Sequence, residues 1–222
     1  MDLFPLWNSL RIAALASVIV FFLGILAAFY VAKLNRVLKG IIDVILTLPL
    51  VLPPTVIGYF LLITVGTQRP LGMFLNEFGI RFVMTWYGGV LTAAVIAFPL
   101  MYRTARGAFE SFDETLEHAG KTLGLSNSYI FWRIRMPACR QGILAGFVLA
   151  FARALGEFGA TVMLIGHIPG RTATISTTVY HLWRIGDEHG AFLWVLINLG
   201  ISTVVLLAVN LLERRRKRAV IR

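Results

Sequence analysis

Two charged side chains and a hydroxyl group follow one another at intervals of four residues in an otherwise apolar stretch, residues 141–170. Arg153, Glu157 and Thr161 would share one face if this stretch formed a single α-helix, and the two charges would be spaced to pair. Charges inside a membrane are costly, so they usually face the interior of a helix bundle or a water-filled cavity. Two interpretations stay open: a structural ion pair, or an arginine that lines the route of an anion.

Three prolines interrupt a second apolar stretch. Pro49, Pro53 and Pro54 each lack a backbone donor, so a helix must kink or break there. The carbonyl groups released by this break need partners in protein or water. The bend is either a packed structural kink or part of a gate beside a polar path. Pro99 predicts a weaker bend in a third stretch.

The sequence lacks the residue patterns that ATP binding, metal binding or catalysis would require. No G-x-x-x-x-G-K-[ST] loop occurs, so the chain does not bind ATP by that route. The four histidines show no ligand spacing with cysteine or carboxylates, and no Ser/His/Asp or Cys/His arrangement has supporting context. We therefore expect no catalytic residue, no metal site and no cofactor on this chain. Cys139 is the only cysteine, which excludes a disulfide scaffold.

The composition predicts the elements that position these residues. Of 222 residues, 58% are apolar and 14% charged, whereas soluble domains have about 45–50% and about 25%. A membrane-spanning helix needs about 20 mostly apolar residues. Four uncharged windows are long enough, and residues 141–170 add a fifth that contains two charges; the four are residues 12–32, 44–68, 82–102 and 189–212. The first exceeds the apolar region of a signal peptide, which favours a retained helix. We predict an all-α integral membrane protein with five transmembrane helices.

The basic residues predict the orientation. Most of the 21 lysines and arginines lie between helices 1 and 2, between helices 3 and 4, or in the C-terminal tail. Because cytoplasmic segments carry the excess of Lys and Arg, the N-terminus should be outside and the C-terminus cytoplasmic. The net charge of +10 then reflects this asymmetry and a tail suited to anionic lipid, and it does not indicate nucleic acid.

Residues 103–140, between helices 3 and 4, are too many for a turn and predict two short helices. Ser111 and Glu114 have the spacing of a capping box, and Gly124 suits the end of the first helix. Ser126 can cap the second helix, and Pro137 should stop it. The first helix would carry an apolar stripe on one face, formed by Leu116, Ala119 and Leu123.

Small residues recur every four positions in the fifth window. Gly142, Gly146, Ala150 and Ala154 form one such series, and Ala152, Gly156 and Ala160 form another. Small residues at this spacing let neighbouring helices approach closely within a membrane. This helix should therefore lie at the centre of the bundle.

The loop also carries a recognisable pattern. His118-Ala119-Gly120 is followed by three residues, Gly124, nine residues and then Ile134-Arg-Met-Pro137. This spacing resembles the E-A-A…G…I-x-L-P pattern in the permease subunits of ABC importers, with His118, Gly120 and Met136 departing from it. Longer stretches resemble the molybdate permease branch of that family: residues 48–59, 119–124, 149–161 and 168–172.

The resemblance implies a type I importer permease fold, with residues 1–222 as a single permease domain and residues 103–140 as a cytoplasmic coupling loop. It implies a second copy of the chain, two copies of a cytoplasmic ABC ATPase that binds ATP and Mg²⁺, and an external oxyanion-binding protein that docks on residues 66–85 and 166–188. The membrane would be the cytoplasmic (inner) membrane of a prokaryote. The residues implied in coupling to the ATPase are Glu117, His118, Ala119, Gly120, Leu123, Gly124, Ile134 and Pro137. The candidate pathway or gate residues are Pro49, Pro53, Pro54, Arg153, Glu157 and Thr161.

The function expected from this resemblance is ATP-driven import of an oxyanion, molybdate first, by alternating access. Tungstate and sulfate or thiosulfate are alternative substrates, because related importers share parts of these patterns. A secondary transporter that works without ATP would predict inverted repeats, and the two halves show no convincing similarity. A membrane enzyme or a purely structural subunit would leave the loop pattern without an explanation.

Overall fold

The computed structural model describes residues 2–220, and side-chain surroundings for residues 2–207. No β-strand occurs in this part of the chain. In chain order the helices are α1 (Phe4–Ala32), α2 (Arg36–Val51), α3 (Pro54–Val65), α4 (Pro70–Glu77), α5 (Trp86–Glu110), α6 (Glu114–Thr122), α7 (Asn127–Ile130), a π-helical turn (Phe131–Arg135), α8 (Met136–Leu155), α9 (Gly159–Ile165), α10 (Ile175–Arg184) and α11 (Glu188–Val220).

Four helices are long and apolar enough to cross a membrane: α1, α5, the continuous helix Asn127–Leu155, and the Glu188–Leu207 part of α11. A fifth candidate consists of α2 and α3 together, which are bent by 109° at the break between them. The all-α fold with four to five candidate spans agrees with the prediction from uncharged windows. The protein is a multi-pass membrane protein.

The core is formed by α1, α5 and α8, which contact one another along their lengths. The contacts rely on small residues: Gly142 faces the Cβ of Ala108, and Gly146 faces Thr104. Ala150 and Ala154 are buried in the same interface. Close approach of backbones gives dispersion contacts that larger side chains would prevent. The predicted central position of this helix is therefore confirmed.

The break after α2 is also confirmed. Helix α2 ends at Val51, and Pro54 is the first residue of α3, where its missing N–H needs no partner. Pro49 lies inside α2, and α5 runs through Pro99 as one helix. No residue of α2 is fully buried, but Ile42 and Leu46 pack against the core. Two ion pairs also attach α2 to α5: Asp43 pairs with Arg106, and Lys39 pairs with Glu110.

The prediction of one helix over residues 141–170 is wrong. Helix α8 ends at Leu155, and α9 begins at Gly159. Gly156 is the C-terminal cap of α8, and the Glu157 carboxylate turns to accept a hydrogen bond from the backbone N–H of Ala160, at 2.8 Å. This carboxylate cap satisfies a donor that a helix terminus leaves open. The membrane-spanning helix reaches its length by starting earlier than predicted, at Asn127.

Two details of the loop also differ from prediction. Asp113 caps α6 and accepts from the N–H of Thr115, whereas Ser111 is the C-terminal cap of α5. Pro137 does not stop a helix, because the π-helical turn precedes it and the N–H of Met136 bonds to the carbonyl of Phe131, five residues back. Pro137 therefore lies inside the continuous helix Asn127–Leu155, directly after the π-helical turn. The predicted second helix is thus the start of the long helix Asn127–Leu155.

Two other predicted end signals are confirmed. Gly124 follows α6 with a φ of +75°, a conformation that favours glycine. Its N–H bonds to the carbonyl of Lys121, and the N–H of Leu125 bonds to that of Gly120, as in a Schellman motif. The hydroxyl of Ser126 accepts from the N–H of Tyr129 at the start of α7.

Gly58→Ala should destabilise the protein, because the new Cβ would lie 2.7 Å from the Cα of Ala160, a backbone atom that cannot easily move. Overpacking of this kind costs about 1–3 kcal/mol. Gly107→Ala is the matched control, since it lies in α5 with open space around it and gains helix propensity. Thermal unfolding of the purified chain in detergent should show a lower midpoint for Gly58→Ala alone. Equal midpoints for the two variants would contradict the close packing of α3 on α9.

Candidate functional site

The break between α2 and α3 (the first break) lies against the break between α8 and α9 (the second break). A Cβ on Gly159, the first residue of α9, would lie 2.9 Å from the Cβ of Pro54 and 3.1 Å from the backbone nitrogen of Thr55. One turn further along α3, Gly58 packs against Ala160 and Met163. Helices α3 and α9 therefore start at adjacent breaks and run side by side in the same direction. Sequence reasoning predicted one break but missed the other and their pairing.

An ion pair spans the second break. Arg153, near the end of α8, places Nη1 2.8 Å from Oε2 of Glu157, while Oε1 of the same carboxylate caps α9. The Glu157 side chain is 1% exposed, and the Arg153 side chain is 30% exposed. The predicted pairing is confirmed, and it joins α8 to α9 across the break. Arg153 still reaches the surface of the single chain.

Thr161 does not share a face with this pair. Its Oγ1 lies 3.2 Å from Oγ1 of Thr92 on α5, and both residues are buried. The predicted stripe of Arg153, Glu157 and Thr161 on one helix is therefore wrong, because α8 ends at Leu155 and α9 begins at Gly159. Thr161 instead attaches α9 to the core through α5.

The surface at the breaks is polar and open. Pro53, Thr55 and Gly156 are exposed in the single chain, and Arg153 is half-buried. The N-terminus of α3 carries the positive end of a helix dipole at this point. A partly exposed guanidinium and a helix N-terminus both favour an anion over a cation.

At one end of the bundle, α6 presents an apolar face away from the protein. Leu123 is 77% exposed and Leu116 is 48% exposed, and Ala119 between them is exposed as well. The predicted stripe thus forms but has no partner within residues 2–207. Solvent-exposed apolar patches that are rimmed by polar residues are typical of protein–protein contacts.

The eight residues implied in coupling lie on different sides of this loop. His118, Gly124 and Pro137 are exposed together with Ala119 and Leu123. Glu117, Gly120 and Ile134 are turned toward the rest of the chain; Gly120 is buried, and the other two are partly buried. The first group is the more accessible to a partner.

At the opposite end lies a cavity of about 430 Å³ between the start of α1, α10 and α11. The rings of His167 and His181 stack there with their centroids 4.5 Å apart, and Nδ1 of His167 lies 3.2 Å from Oγ1 of Thr177. Burial, together with the neighbouring His181, lowers the pKa of His167. Within the described residues, no group of three His, Cys, Asp or Glu side chains is placed to hold a metal ion.

Comparison with known proteins identifies the family. Residues 20–218 match the family model of the "Binding-protein-dependent transport system inner membrane component". The chain belongs to this family. It is an ABC importer permease subunit by this match and by similarity to the "Molybdenum transport system permease protein ModB" of Escherichia coli K12, which is 42% identical over 222 residues and 97% of each chain.

Two further comparisons concern a more distant relative and a solved structure. The "Probable sulfate transport system permease protein cysT" of Chlorokybus atmophyticus is 30% identical over 92% of this chain and 72% of that protein. A crystal structure of a bacterial ABC transporter for the acidic polysaccharide alginate superposes with a TM-score of 0.76 over 96% of this chain and 79% of that chain, at 18% identity. The latter supports the fold alone.

Acid should destabilise this permease through His167. The unfolded histidine takes up a proton near its ordinary pKa of about 6.5, whereas the lowered pKa of the folded state delays protonation, so stability falls as the pH drops below that ordinary value. His167→Gln should make the thermal unfolding midpoint in detergent depend less on pH, over the range from pH of about 7.5 to about 5. His189→Gln, at an exposed position, is the control and should keep the slope of the unchanged chain. Parallel slopes in all three proteins would contradict the assignment to His167.

Proposed function

We propose that this permease forms, as a homodimer, the transmembrane pathway of an ATP-driven importer of molybdate. The substrate is suggested by the similarity to the molybdenum permease of E. coli over nearly the whole length of both chains. The observation that carries the coupling role is the exposed apolar face of α6, which has the position and spacing of the loop pattern. ATP and Mg²⁺ bind to a separate ATPase subunit in this proposal.

The orientation follows the distribution of basic residues. In this proposal the end with α6 is cytoplasmic, and the end with α10 faces the outside of a prokaryotic inner membrane. An external oxyanion-binding protein docks on residues 66–85 and 166–188, which connect α3 to α5 and α9 to α11. The family description, which refers to binding-protein-dependent transport, supports such a partner.

A second copy of the chain completes the pathway. A single copy leaves the polar surface at the breaks open, although irregular backbone at membrane depth is tolerated only where protein or water covers it. Pro53 and Thr55 from the first break, and Arg153 from the second, lie on this surface. Pairing two copies across the breaks would enclose a path with two arginines and two helix N-termini. Glu157 keeps each arginine in place, and Thr161 holds α9 against α5.

The transport cycle uses α6 as the moving contact. Two ATPase subunits close when they bind ATP, and each carries its docked α6 with it. The permease converts this displacement into alternation between inward-open and outward-open states, with the break at Pro53 and Pro54 as a hinge. In this cycle the permease has two states, inward-open and outward-open, and ATP binding to the ATPase shifts the equilibrium between them.

Sulfate import is a second candidate, because the chain is 30% identical to a sulfate permease. Sulfate and molybdate are both tetrahedral dianions, so a partly exposed arginine and two helix N-termini accept either. In this alternative the binding protein selects the substrate, and the permease pathway is unchanged.

Leu123→Asp should release the ATPase from the permease, because it places a charge at the most exposed residue of the apolar face, at the C-terminal end of α6. We expect co-purification of the ATPase to fall at least about tenfold, while the permease stays folded since Leu123 packs against little of its own chain. Leu123→Met is the matched control, because it keeps an apolar side chain of similar volume. Full recovery of the ATPase with Leu123→Asp would refute the coupling role of α6.

Arg153→Met should abolish oxyanion uptake more severely than Glu157→Gln, because only the first removes the positive charge. We expect uptake in proteoliposomes to fall at least about tenfold with Arg153→Met, which corresponds to roughly 1.4 kcal/mol. The double variant Arg153→Met/Glu157→Gln separates transport from folding, since it leaves no unpaired buried charge. If the double variant transports as well as Glu157→Gln alone, the ion pair has only a structural role.

A further inference from the structure

The inner side of α6 is attached to the rest of the chain at two points. Gly120 is the first, and a Cβ there would lie 3.1–3.2 Å from side-chain atoms of Ile130 and 3.4 Å from Ile134. Gly120 is also the buried residue of α6. Because glycine has no side chain, α6 meets Ile130 and Ile134 here through its backbone alone. A second attachment is needed to fix the direction of the helix.

Glu117 supplies the second attachment. Its Oε1 accepts from Nζ of Lys121 on the same helix, at 2.8 Å, and its Oε2 accepts from Nη2 of Arg135 in the π-helical turn. The hydrogen bond from Lys121, aided by the charge of Arg135, lowers the pKa of Glu117, so the carboxylate stays ionised at neutral pH. Glu117 thus faces inward, away from the surface that a partner would touch.

Arg135 extends this attachment to two more elements. Its guanidinium lies 4.9 Å from the ring centroid of Phe112, which follows α5, and 5.6 Å from that of Phe29 on α1. Phe29 packs in turn against Phe131, with 4.6 Å between centroids. The Arg135 side chain is only 12% exposed. One guanidinium therefore joins α6, α1 and the end of α5 to the helix that carries it.

The helix that carries Arg135 ends at the second break. The helix Asn127–Leu155 is continuous from Arg135 to Arg153, a distance of roughly 27 Å at 1.5 Å per residue. Its far end carries the ion pair to Glu157. A displacement that entered at Arg135 would therefore reach the site proposed for the anion along one continuous helix.

We propose that Glu117 and Arg135 are positioning residues for coupling: their ion pair clamps α6 to the helix Asn127–Leu155, so that both move as one body when the ATPase moves α6. This inference rests on the proposed function. Without the clamp, α6 would pivot about Gly120 and absorb the motion of the ATPase. ATP hydrolysis would then continue with little transport.

Glu117→Gln in the assembled transporter tests the clamp, with oxyanion uptake per ATP hydrolysed as the readout. We expect the complex to assemble and uptake per ATP hydrolysed to fall at least about fivefold. Arg135→Gln should give the same loss, and the double variant should be no worse than either, because residues that act as a unit are not additive. Glu114→Gln is the matched control: its carboxylate is exposed one turn earlier and forms no ion pair among the described residues.

A second measurement uses the permease alone and so does not depend on the ATPase. Spin labels at Ala119→Cys and Arg140→Cys, in a Cys139→Ser background, report the distance between α6 and α8. The distribution should broaden with Glu117→Gln and keep its width with Glu114→Gln. An unchanged distribution, unchanged uptake per ATP, or additive losses in the double variant would overturn the clamp. A wild-type complex that fails to couple ATP to uptake, with the distance change still present, would instead refute the proposed function.

Discussion

The fold depends on one constraint: a chain that breaks helices at membrane depth must supply partners for the backbone groups that it releases. Glu157 meets this constraint at the second break, because one carboxylate oxygen caps α9 and the other pairs with Arg153. At the first break, Pro54 removes a donor that would otherwise be unpaired. The ion pair at the second break therefore includes Arg153, the residue proposed to meet the anion.

Small residues make this arrangement compact. The approach of α9 to α3 needs Gly58 and Gly159, where added Cβ atoms would meet neighbouring backbone. The approach of α8 to α5 needs Gly142 and Gly146. Because the driving force between helices in lipid is packing, these glycines contribute as much to the architecture as the apolar side chains do. The same principle applies at Gly120, where α6 rests on α7 and the π-helical turn.

Much of the fold follows from local signals in the sequence. Uncharged windows predict the spans, the prolines predict the first break, and Gly124 predicts the end of α6, because each depends on the residues at that position. The break at Gly156 was missed because Arg153 and Glu157 have the same spacing whether they pair along a helix or across a gap. Pro137 lies inside a helix instead of ending one, because a π-helical turn precedes it and no residue type in the sequence predicts such a turn.

The candidate site was predictable in residue identity and less so in geometry. The loop pattern and the apolar stripe selected the α6 residues, and their exposure agrees with a partner surface. The inward turn of Glu117 depends on Arg135, eighteen positions away. The pairing of α3 with α9 joins residues about a hundred positions apart. Contacts of this range depend on how the bundle closes, and a single sequence contains no local signal for them.

The central claim is that this permease couples ATP hydrolysis to oxyanion import. ATP hydrolysis in proteoliposomes that contain the permease and its ATPase tests this most directly, with the external binding protein empty or loaded with molybdate, tungstate or sulfate. We expect the molybdate-loaded protein to stimulate hydrolysis well above the empty protein. Stimulation by sulfate alone would change the substrate but keep the importer. An assembled complex whose hydrolysis ignores every loaded binding protein, or a permease that forms no complex with the ATPase, would contradict the account.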